Sequence, residues 1–320
     1  MSAVAERFDT AGPNAAGPDA AGPSAAGPNA PGPNAAGIRA DARRERLTLA
    51  GLTVPAFLLL GALLFIPVGW LFWLSLYDEH GFGLANYTRM VTEPAYASVF
   101  IVTFQLALLV TVLAVLLGYP VAYTIALLPR RWATISLMLV LVPFWTALLV
   151  RTYAWLVLLQ RRGIINSLLM KWGMIDGPLA LVHNFTGTAI GMLHIMLPFL
   201  VLPLYANMKA LDRDYVRAAA SLGANPVSAF WRVYLPLTIP GLAAGTVMVF
   251  VLCLGFYITP QFLGGGRVTT ISMKIQQNVA TYLDWGAASS LGVVLFAVTM
   301  LIFWVAARIF PVGKITGQAP

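Results

Sequence analysis

The sequence predicts an all-α polytopic membrane protein with about six transmembrane helices. Of the 320 residues, 59% are hydrophobic and only 10% carry a charge, whereas about 25% of the residues of a soluble domain are charged. Long charge-free stretches also recur along the chain. Each can hold a helix of about 20 residues, which is enough to cross a hydrocarbon core of roughly 30 Å. Helices are favoured because backbone groups in lipid need internal hydrogen-bond partners.

The charge-free stretches predict where the helices lie. We expect a transmembrane domain over residues 46–315, with helices near 50–77, 98–126, 133–159, 186–208, 237–258 and 287–309. Apart from Arg308 at the inner end of the sixth helix, Arg151 is the one charge inside these helices, about 18 residues or roughly 27 Å from the start of the third. That position favours an interfacial anchor beside Tyr153 and Trp155. Pairing with a substrate or with a partner subunit is the alternative.

Residues 1–45 are expected to form a disordered tail outside the transmembrane domain. From Ala11 a five-residue Ala/Gly/Pro unit repeats along the tail. Such a repeat has almost nothing to bury, and its prolines block regular hydrogen bonding. The repeat therefore predicts a segment that is dispensable for the core activity.

Lysine and arginine positions predict that both termini are cytoplasmic. An internal N-terminus places thirteen basic residues inside and six outside, which satisfies the positive-inside rule. The inner set is Arg7, Arg39, Arg43, Arg44, Arg46, Arg130, Arg131, Lys209, Arg213, Arg217, Arg232, Arg308 and Lys314. The outer set is Arg89, Arg161, Arg162, Lys171, Arg267 and Lys274.

No catalytic, cofactor or metal site is expected within the predicted helices. All twelve carboxylates lie outside them, whereas an intramembrane proton relay would need one inside. The three histidines are not at metal-ligand spacing, and His194 is expected to be a hydrogen-bonded packing residue or to line a cavity. The glycine run at 264–266 lacks the following Lys-Ser/Thr of a phosphate loop. The net charge of +8 is scattered along the chain, so nucleic acid is not an expected partner.

The loop at 209–236, between the fourth and fifth helices, is the most informative segment. Leu211, Tyr215, Ala218 and Leu222 share one helical stripe. Gly223 predicts a helix stop, because glycine accepts the left-handed conformation. Asn225 and Pro226 then predict the cap and first residue of a second short helix. Periodicity leaves two readings open, an interfacial membrane helix and a docking element for a partner.

The same loop resembles the conserved cytoplasmic loop of the permeases of binding-protein-dependent ABC importers. That family pattern is Glu-Ala-Ala, three residues, Gly, then about nine residues before a Leu-Pro-type ending. Ala218, Ala219, Gly223 and Pro236 match it, while Arg217 replaces the glutamate. Three further stretches, 143–155, 163–166 and 255–265, resemble the spermidine/putrescine branch of the family. The resemblance covers roughly residues 45–315.

The resemblance implies the MetI-like fold of the smaller ABC importers in the bacterial inner membrane. It implies ABC ATPase subunits, a second homologous permease and a periplasmic solute-binding protein as partners, with lipid around them and ATP bound by the ATPases. It assigns ATPase coupling to Leu211, Asp212, Tyr215, Arg217, Ala218, Ala219, Leu222, Gly223 and Pro236. Candidate pathway residues are Trp145, Tyr153, Phe256 and Tyr257, because cationic amines bind aromatic rings, and Arg151 through the alternative of pairing with a substrate. For each of the four aromatics, a packing or lipid-facing position is the alternative.

The expected function is therefore a transport subunit for a small solute such as spermidine or putrescine, rather than an enzyme. A permease for another small solute is an alternative. A stand-alone secondary transporter would be expected to carry ionisable groups in mid-span. An intramembrane enzyme would need a nucleophile–base pair or a metal cluster, and the sequence predicts neither.

Overall fold

The computed structural model describes residues 35–78, 81–212 and 214–309, with only the backbone for residues 35–50 and 52. The chain divides into two compact units, residues 1–64 and 65–320. Of the expected tail, residues 1–34 lie outside the described part. The backbone is helical from Ala35, so residues 35–45 differ from the disordered segment expected there.

Helices account for nearly all of the described regular structure. A short hairpin pairs β1 (Tyr77–Asp78) with β2 (Gly81–Phe82), and Tyr77 lies opposite Phe82. The helices are α1 Ala35–Ser75, α2 Ala85–Thr92, α3 Pro94–Leu127, α4 Arg130–Leu141, α5 Leu148–Leu159, α6 Ile164–Lys171, α7 Phe185–Ala210, α8 Asp214–Ser221, α9 Pro226–Ala229, α10 Leu235–Leu254, α11 Ile258–Leu263, α12 Ile271–Ala280 and α13 Trp285–Ile309.

Within the residues that the structure describes, five helical segments are long and apolar enough to cross a membrane, and a bent helix pair adds a sixth if it counts as one span. The five are Thr53–Ser75, Pro94–Leu127, Phe185–Ala210, Pro226–Leu254 and Trp285–Ile309. This confirms the predicted all-α polytopic architecture with about six spans.

The expected continuous third helix over 133–159 is wrong. The segments Arg130–Trp145 and Leu148–Lys171 meet at 96°. The first segment ends in a 3₁₀ turn at Val142–Trp145, after which Thr146 has extended backbone with φ −91° and ψ 140°. Pro143 has no N–H to continue the α-helical ladder, and its ring restricts the preceding turn. The distance of roughly 27 Å between Arg151 and the start of the third helix assumed a straight helix. It therefore does not give the depth of Arg151 in the membrane.

The fifth span also departs from its expected bounds of 237–258. Helix α10 ends at Leu254, and Gly255 follows as its cap. A separate short helix, α11, begins at Ile258. Phe256 and Tyr257 therefore lie in the connection between two helices rather than on the face of a span.

Helices α3, α7 and α10 form the core of the second unit. The buried residues Val110 of α3, Leu200 of α7 and Val249 of α10 belong to one cluster. Close approach depends on two glycines, because a Cβ on Gly118 would lie 2.6 Å from Leu200 and one on Gly245 would lie 3.0 Å from it. Small residues allow such contacts between membrane helices, whose association depends on packing. The 211–236 loop and the break between α4 and α5 both adjoin helices of this core.

Candidate functional site

The 211–236 loop, which runs from the end of α7 to the start of α10, contains α8 and α9. Asp212 stabilises the start of α8, since its Oδ1 accepts a hydrogen bond from the backbone N–H of Asp214 at 3.0 Å. One turn further on, Arg217 pairs with Asp214 at 3.0 Å. Both partners of this pair are largely exposed. Arg217, which stands where the family pattern has glutamate, is thus paired with a carboxylate of its own helix.

Gly223 ends α8 in the left-handed conformation, with φ of +87°. The N–H of Ala224 bonds to the carbonyl of Ala219, and the N–H of Gly223 bonds to that of Ala220, each at 3.0 Å. These two bonds are the 6→1 and 5→2 pairs of a Schellman motif. The predicted helix stop at Gly223 is confirmed.

The second short helix of the loop also begins as predicted. Asn225 caps α9, because its Oδ1 accepts a hydrogen bond from the N–H of Ser228 at 2.7 Å. Pro226 occupies the first helical position, where its missing N–H costs no hydrogen bond. The cap and the Schellman turn together fix the angle at which α8 and α9 meet.

Three of the four residues of the predicted apolar stripe are exposed. Tyr215 is 58% exposed and Leu222 is 90% exposed, and Ala218 between them is exposed as well. Leu211 lies apart from them, half-buried at the end of α7. An exposed apolar face can serve as an interaction site. Ala219 is half-buried, and Pro236 is exposed in the first turn of α10.

Aromatic side chains attach the second half of the loop to α3. A π-helical turn at Phe230–Tyr234 joins α9 to α10. The ring of Phe230 meets those of Tyr119 and Tyr123 edge to face, with centroids 6.2 and 5.5 Å apart. Tyr234 contacts Tyr123 at 5.3 Å. The hydroxyls of Tyr119 and Thr238 are 3.0 Å apart, which adds a hydrogen bond between α3 and α10.

Sequence reasoning missed this aromatic cluster. Its signal was present, because Tyr119 and Tyr123 are four residues apart on α3, as are Phe230 and Tyr234 in the loop. Residues at that spacing share one helical face. The individual rings were indistinguishable from the many other aromatics of an apolar chain, and only their mutual contacts reveal the pairing.

A cavity of about 770 Å³ separates the loop from the ends of α3 and α7. Val216, Ala220 and Arg217 of α8 line it on the loop side. Leu211, Asp212 and Lys209 line it near the end of α7. The loop therefore rests on the spans through its aromatic end, while α8 stands over a partly open space.

The second region is the break between α4 and α5, which holds three of the candidate pathway residues. Trp145 closes the 3₁₀ turn and is 89% exposed. Arg151 is half-buried in the first turn of α5. Tyr153 packs on Phe262 of α11 with ring centroids 5.2 Å apart. The broken span is thereby joined to α11, and Trp145 stands apart from that contact.

His194 is confirmed as a hydrogen-bonded packing residue. The indole Nε1–H of Trp155 donates a hydrogen bond to His194 Nδ1 at 3.2 Å. The two rings also meet edge to face at 5.5 Å. This pair connects α5 to α7.

The last two candidate pathway residues, Phe256 and Tyr257, are half-buried. Phe256 packs against the cluster formed by α3, α7 and α10. Packing therefore accounts for Phe256, whereas Tyr257 occupies the residue before α11 and makes no side-chain capping hydrogen bond. A pathway role for these residues stays a prediction.

Asn166 has a structural role that the sequence did not reveal. It is fully buried, and its amide nitrogen donates to the carbonyls of Gln160 and Leu179 at 2.9 and 3.0 Å. Its Oδ1 accepts from the N–H of Leu179 at 2.9 Å. One side chain thus holds together the two ends of the segment that follows α5.

Comparison with known proteins gives a consistent family. The family described as binding-protein-dependent transport system inner membrane component matches residues 114–311. The spermidine/putrescine transport system permease protein PotB of Escherichia coli K12 is 35% identical over 231 residues, which cover 71% of this chain and 84% of that protein. PotB of Haemophilus influenzae is 33% identical over 224 residues, or 69% and 78% of the two chains.

Solved structures agree on the fold. One chain of a bacterial alginate ABC transporter, crystallised in complex with an alginate pentasaccharide-bound periplasmic protein, superposes with a TM-score of 0.67. The match covers 88% of this chain and 98% of that chain at 16% identity. At that identity the likeness concerns the fold alone.

Proposed function

Because this chain belongs to the family of binding-protein-dependent transport system inner membrane components, we propose that it imports a polyamine such as spermidine or putrescine. The chain is a multi-pass permease subunit of an ABC importer. The polyamine assignment rests on one observation, the 35% identity to spermidine/putrescine permeases over most of both chains. Another small solute is the remaining alternative.

The proposed assembly contains two ABC ATPase subunits, a second homologous permease and a periplasmic solute-binding protein. ATP is bound and hydrolysed by the ATPases, and this chain has no cofactor of its own. The exposed face of Tyr215, Ala218 and Leu222 supports ATPase docking at the 211–236 loop. Protein interfaces bury apolar side chains at their centre, so this face can bind a complementary surface of a partner. Both termini and this loop are proposed to be cytoplasmic.

A cationic solute needs a negative or aromatic environment along its route. None of the twelve carboxylates of the sequence falls within a candidate span. Acidic contacts to the amine are therefore proposed to come from the second permease or from the binding protein. Trp145, Tyr153, Phe256 and Tyr257 are this chain's proposed contribution, through cation–π contact.

The test is uptake of labelled putrescine and spermidine by vesicles that contain the complete transporter encoded with this chain. We expect uptake that requires ATP and the binding protein, and neither ATPase activity nor transport from this chain alone. If the cognate binding protein captured an anion such as a phosphonate and ignored both amines, the polyamine assignment would be wrong. ATP hydrolysis by the purified chain alone would contradict the proposal that the ATPase subunits bind and hydrolyse ATP.

A further inference from the structure

Arg151 carries a charge that the rest of the described chain leaves without a counter-ion. Its Nη2 donates to the carbonyl of Thr146 at 3.0 Å, and its Nε is buried without a hydrogen-bond partner. A carbonyl satisfies one donor but does not neutralise a guanidinium. Among the residues whose side chains the structure describes, the ion pairs involve Arg89 and Arg217. Arg151 takes part in none of them.

An uncompensated cation at a membrane span is costly. Ionisable groups in such segments almost always face a bundle interior or a water-filled cavity, where they pair with one another or with backbone carbonyls. Removing a guanidinium from water is repaid only when a partner charge and further hydrogen bonds are available. A carboxylate is the natural partner, because its two oxygens match the guanidinium fork.

The backbone beside Arg151 points to a protein cover over this surface. Thr146 and Ala147 are extended between two apolar helices. Non-helical backbone at membrane depth is tolerated only where protein buries it or where it lines a water-filled cavity. The adjoining Phe144 and Trp145 are 46% and 89% exposed. Phe144 packs on Phe199 of α7 with ring centroids 5.0 Å apart, whereas within the described part of the chain Trp145 is left uncovered.

We propose that Arg151 forms an ion pair with a carboxylate side chain of a second, non-identical permease subunit that covers the break. The inference rests on the proposed function, which supplies that second permease. A second copy of this chain would offer only loop carboxylates, since none of its own lies in a candidate span. A polyamine cannot serve either, because it is itself a cation.

The pair would decide which permease this chain accepts. Like charges placed together across an interface are strongly unfavourable, so a cation that the interface covers excludes a partner that presents a cation there. Homodimers would leave two guanidinium groups without anions. Arg151 therefore favours a heteromeric pathway over a homodimeric one.

The test measures how much of the second permease co-purifies with tagged variants of this chain from the complete transporter. Arg151→Glu should lower the retained second permease about tenfold or more, because two carboxylates would then face each other across the interface. Arg162→Glu is the matched control, an exposed arginine after α5, and should retain it within about twofold. Arg151→Lys should retain more than Arg151→Gln, since lysine keeps the charge.

The partner residue is then found by charge reversal. Each span carboxylate of the second permease is changed to lysine in combination with Arg151→Glu, and one combination should restore co-purification. Full retention by Arg151→Glu, or no restoration by any reversal, would overturn the proposal. So would stoichiometric pairing of this chain with its own copy. Assembly is scored without solute, so an error in the polyamine assignment would leave this result unchanged and appear only in uptake.

Discussion

The rings of Tyr123 and Phe230 meet edge to face, with centroids 5.5 Å apart and planes at 78°. Tyr123 belongs to the last turns of α3, and Phe230 opens the turn that joins α9 to α10. The contact ties the 211–236 loop to a helix of the core. A force applied to the exposed face of α8 would pass through this contact into α3 and through Tyr234 into α10.

The first prediction concerns this aromatic contact. Phe230→Ala should uncouple ATP hydrolysis from uptake, because the loop loses its attachment to α3 while its docking face at Tyr215 stays intact. Each aromatic pair contributes about 0.5–1.5 kcal/mol beyond area burial. We expect ATPase retention within about twofold and a loss of uptake of about tenfold, which corresponds to roughly 1.4 kcal/mol.

Phe230→Leu is the conservative comparison for that variant, since it keeps most of the apolar volume and should give intermediate uptake. The measurements are polyamine uptake and ATPase co-purification in the same vesicles. Equal loss of both quantities in Phe230→Ala would mean that the ring supports docking itself rather than transmission.

The second prediction concerns Gly223. Gly223→Val should abolish transport and weaken ATPase docking, because a β-branched residue at φ of +87° is strained. The cost is on the order of 1–3 kcal/mol. It arises from the backbone alone, since a Cβ at Gly223 would meet nothing within 4 Å.

Gly223→Asn separates this backbone effect from side-chain bulk. Asparagine accepts the left-handed region more readily than valine, so Gly223→Asn should retain most of the uptake. Insertion of the spans should survive in both variants because the loop lies outside them, and membrane yield checks this. Wild-type uptake and full ATPase retention by Gly223→Val would show that the loop is not the coupling element.

The third prediction is a mild effect of Arg217→Ala. Arg217 and Asp214 form an ion pair whose side chains are 78% and 73% exposed, and such surface pairs contribute about 0–1 kcal/mol. We expect uptake within about threefold of the unmodified transporter, a change of under roughly 1 kcal/mol. Asp214→Ala removes the same pair from the other side and should match it. A severe loss in Arg217→Ala alone would assign Arg217 a direct contact with the ATPase.

The fourth prediction concerns orientation. The excess of basic residues at one side predicts which ends of the helices are cytoplasmic, and topology reporters fused along the chain measure it. Fusions expected to read cytoplasmic are those at Arg44, Arg130, Lys209 and Lys314. Fusions expected to read external are those at Glu93, Lys171 and Arg267. An external reading at Lys209 would place the 211–236 loop in the wrong compartment for ATPase docking.

Local chemistry explains why the 211–236 loop could be predicted in detail. Gly223, Asn225 and Pro226 each act through their own backbone or through a residue three positions away. Such interactions are encoded in short stretches of sequence. The turn and the cap were therefore predictable without any knowledge of the surrounding helices.

The broken third span shows where such reasoning fails. An apolar window reports that a segment prefers lipid or protein to water, and it does not report whether the helix through it is straight. Pro143 was visible in the sequence, yet prolines also lie inside continuous helices here, at Pro120 and Pro198. Whether a proline breaks a helix depends on whether neighbouring helices can satisfy the freed backbone groups.

The sequence by itself determined the class of protein, the number of spans and the local geometry of the 211–236 loop. These follow from composition and from interactions between residues a few positions apart. Only the tertiary structure decided which aromatic rings join that loop to α3, that Trp155 bonds to His194, and that Arg151 lies beside a break without an anion. Those contacts join residues from separate helices, whose mutual placement results from packing over the whole unit and not from any local pattern.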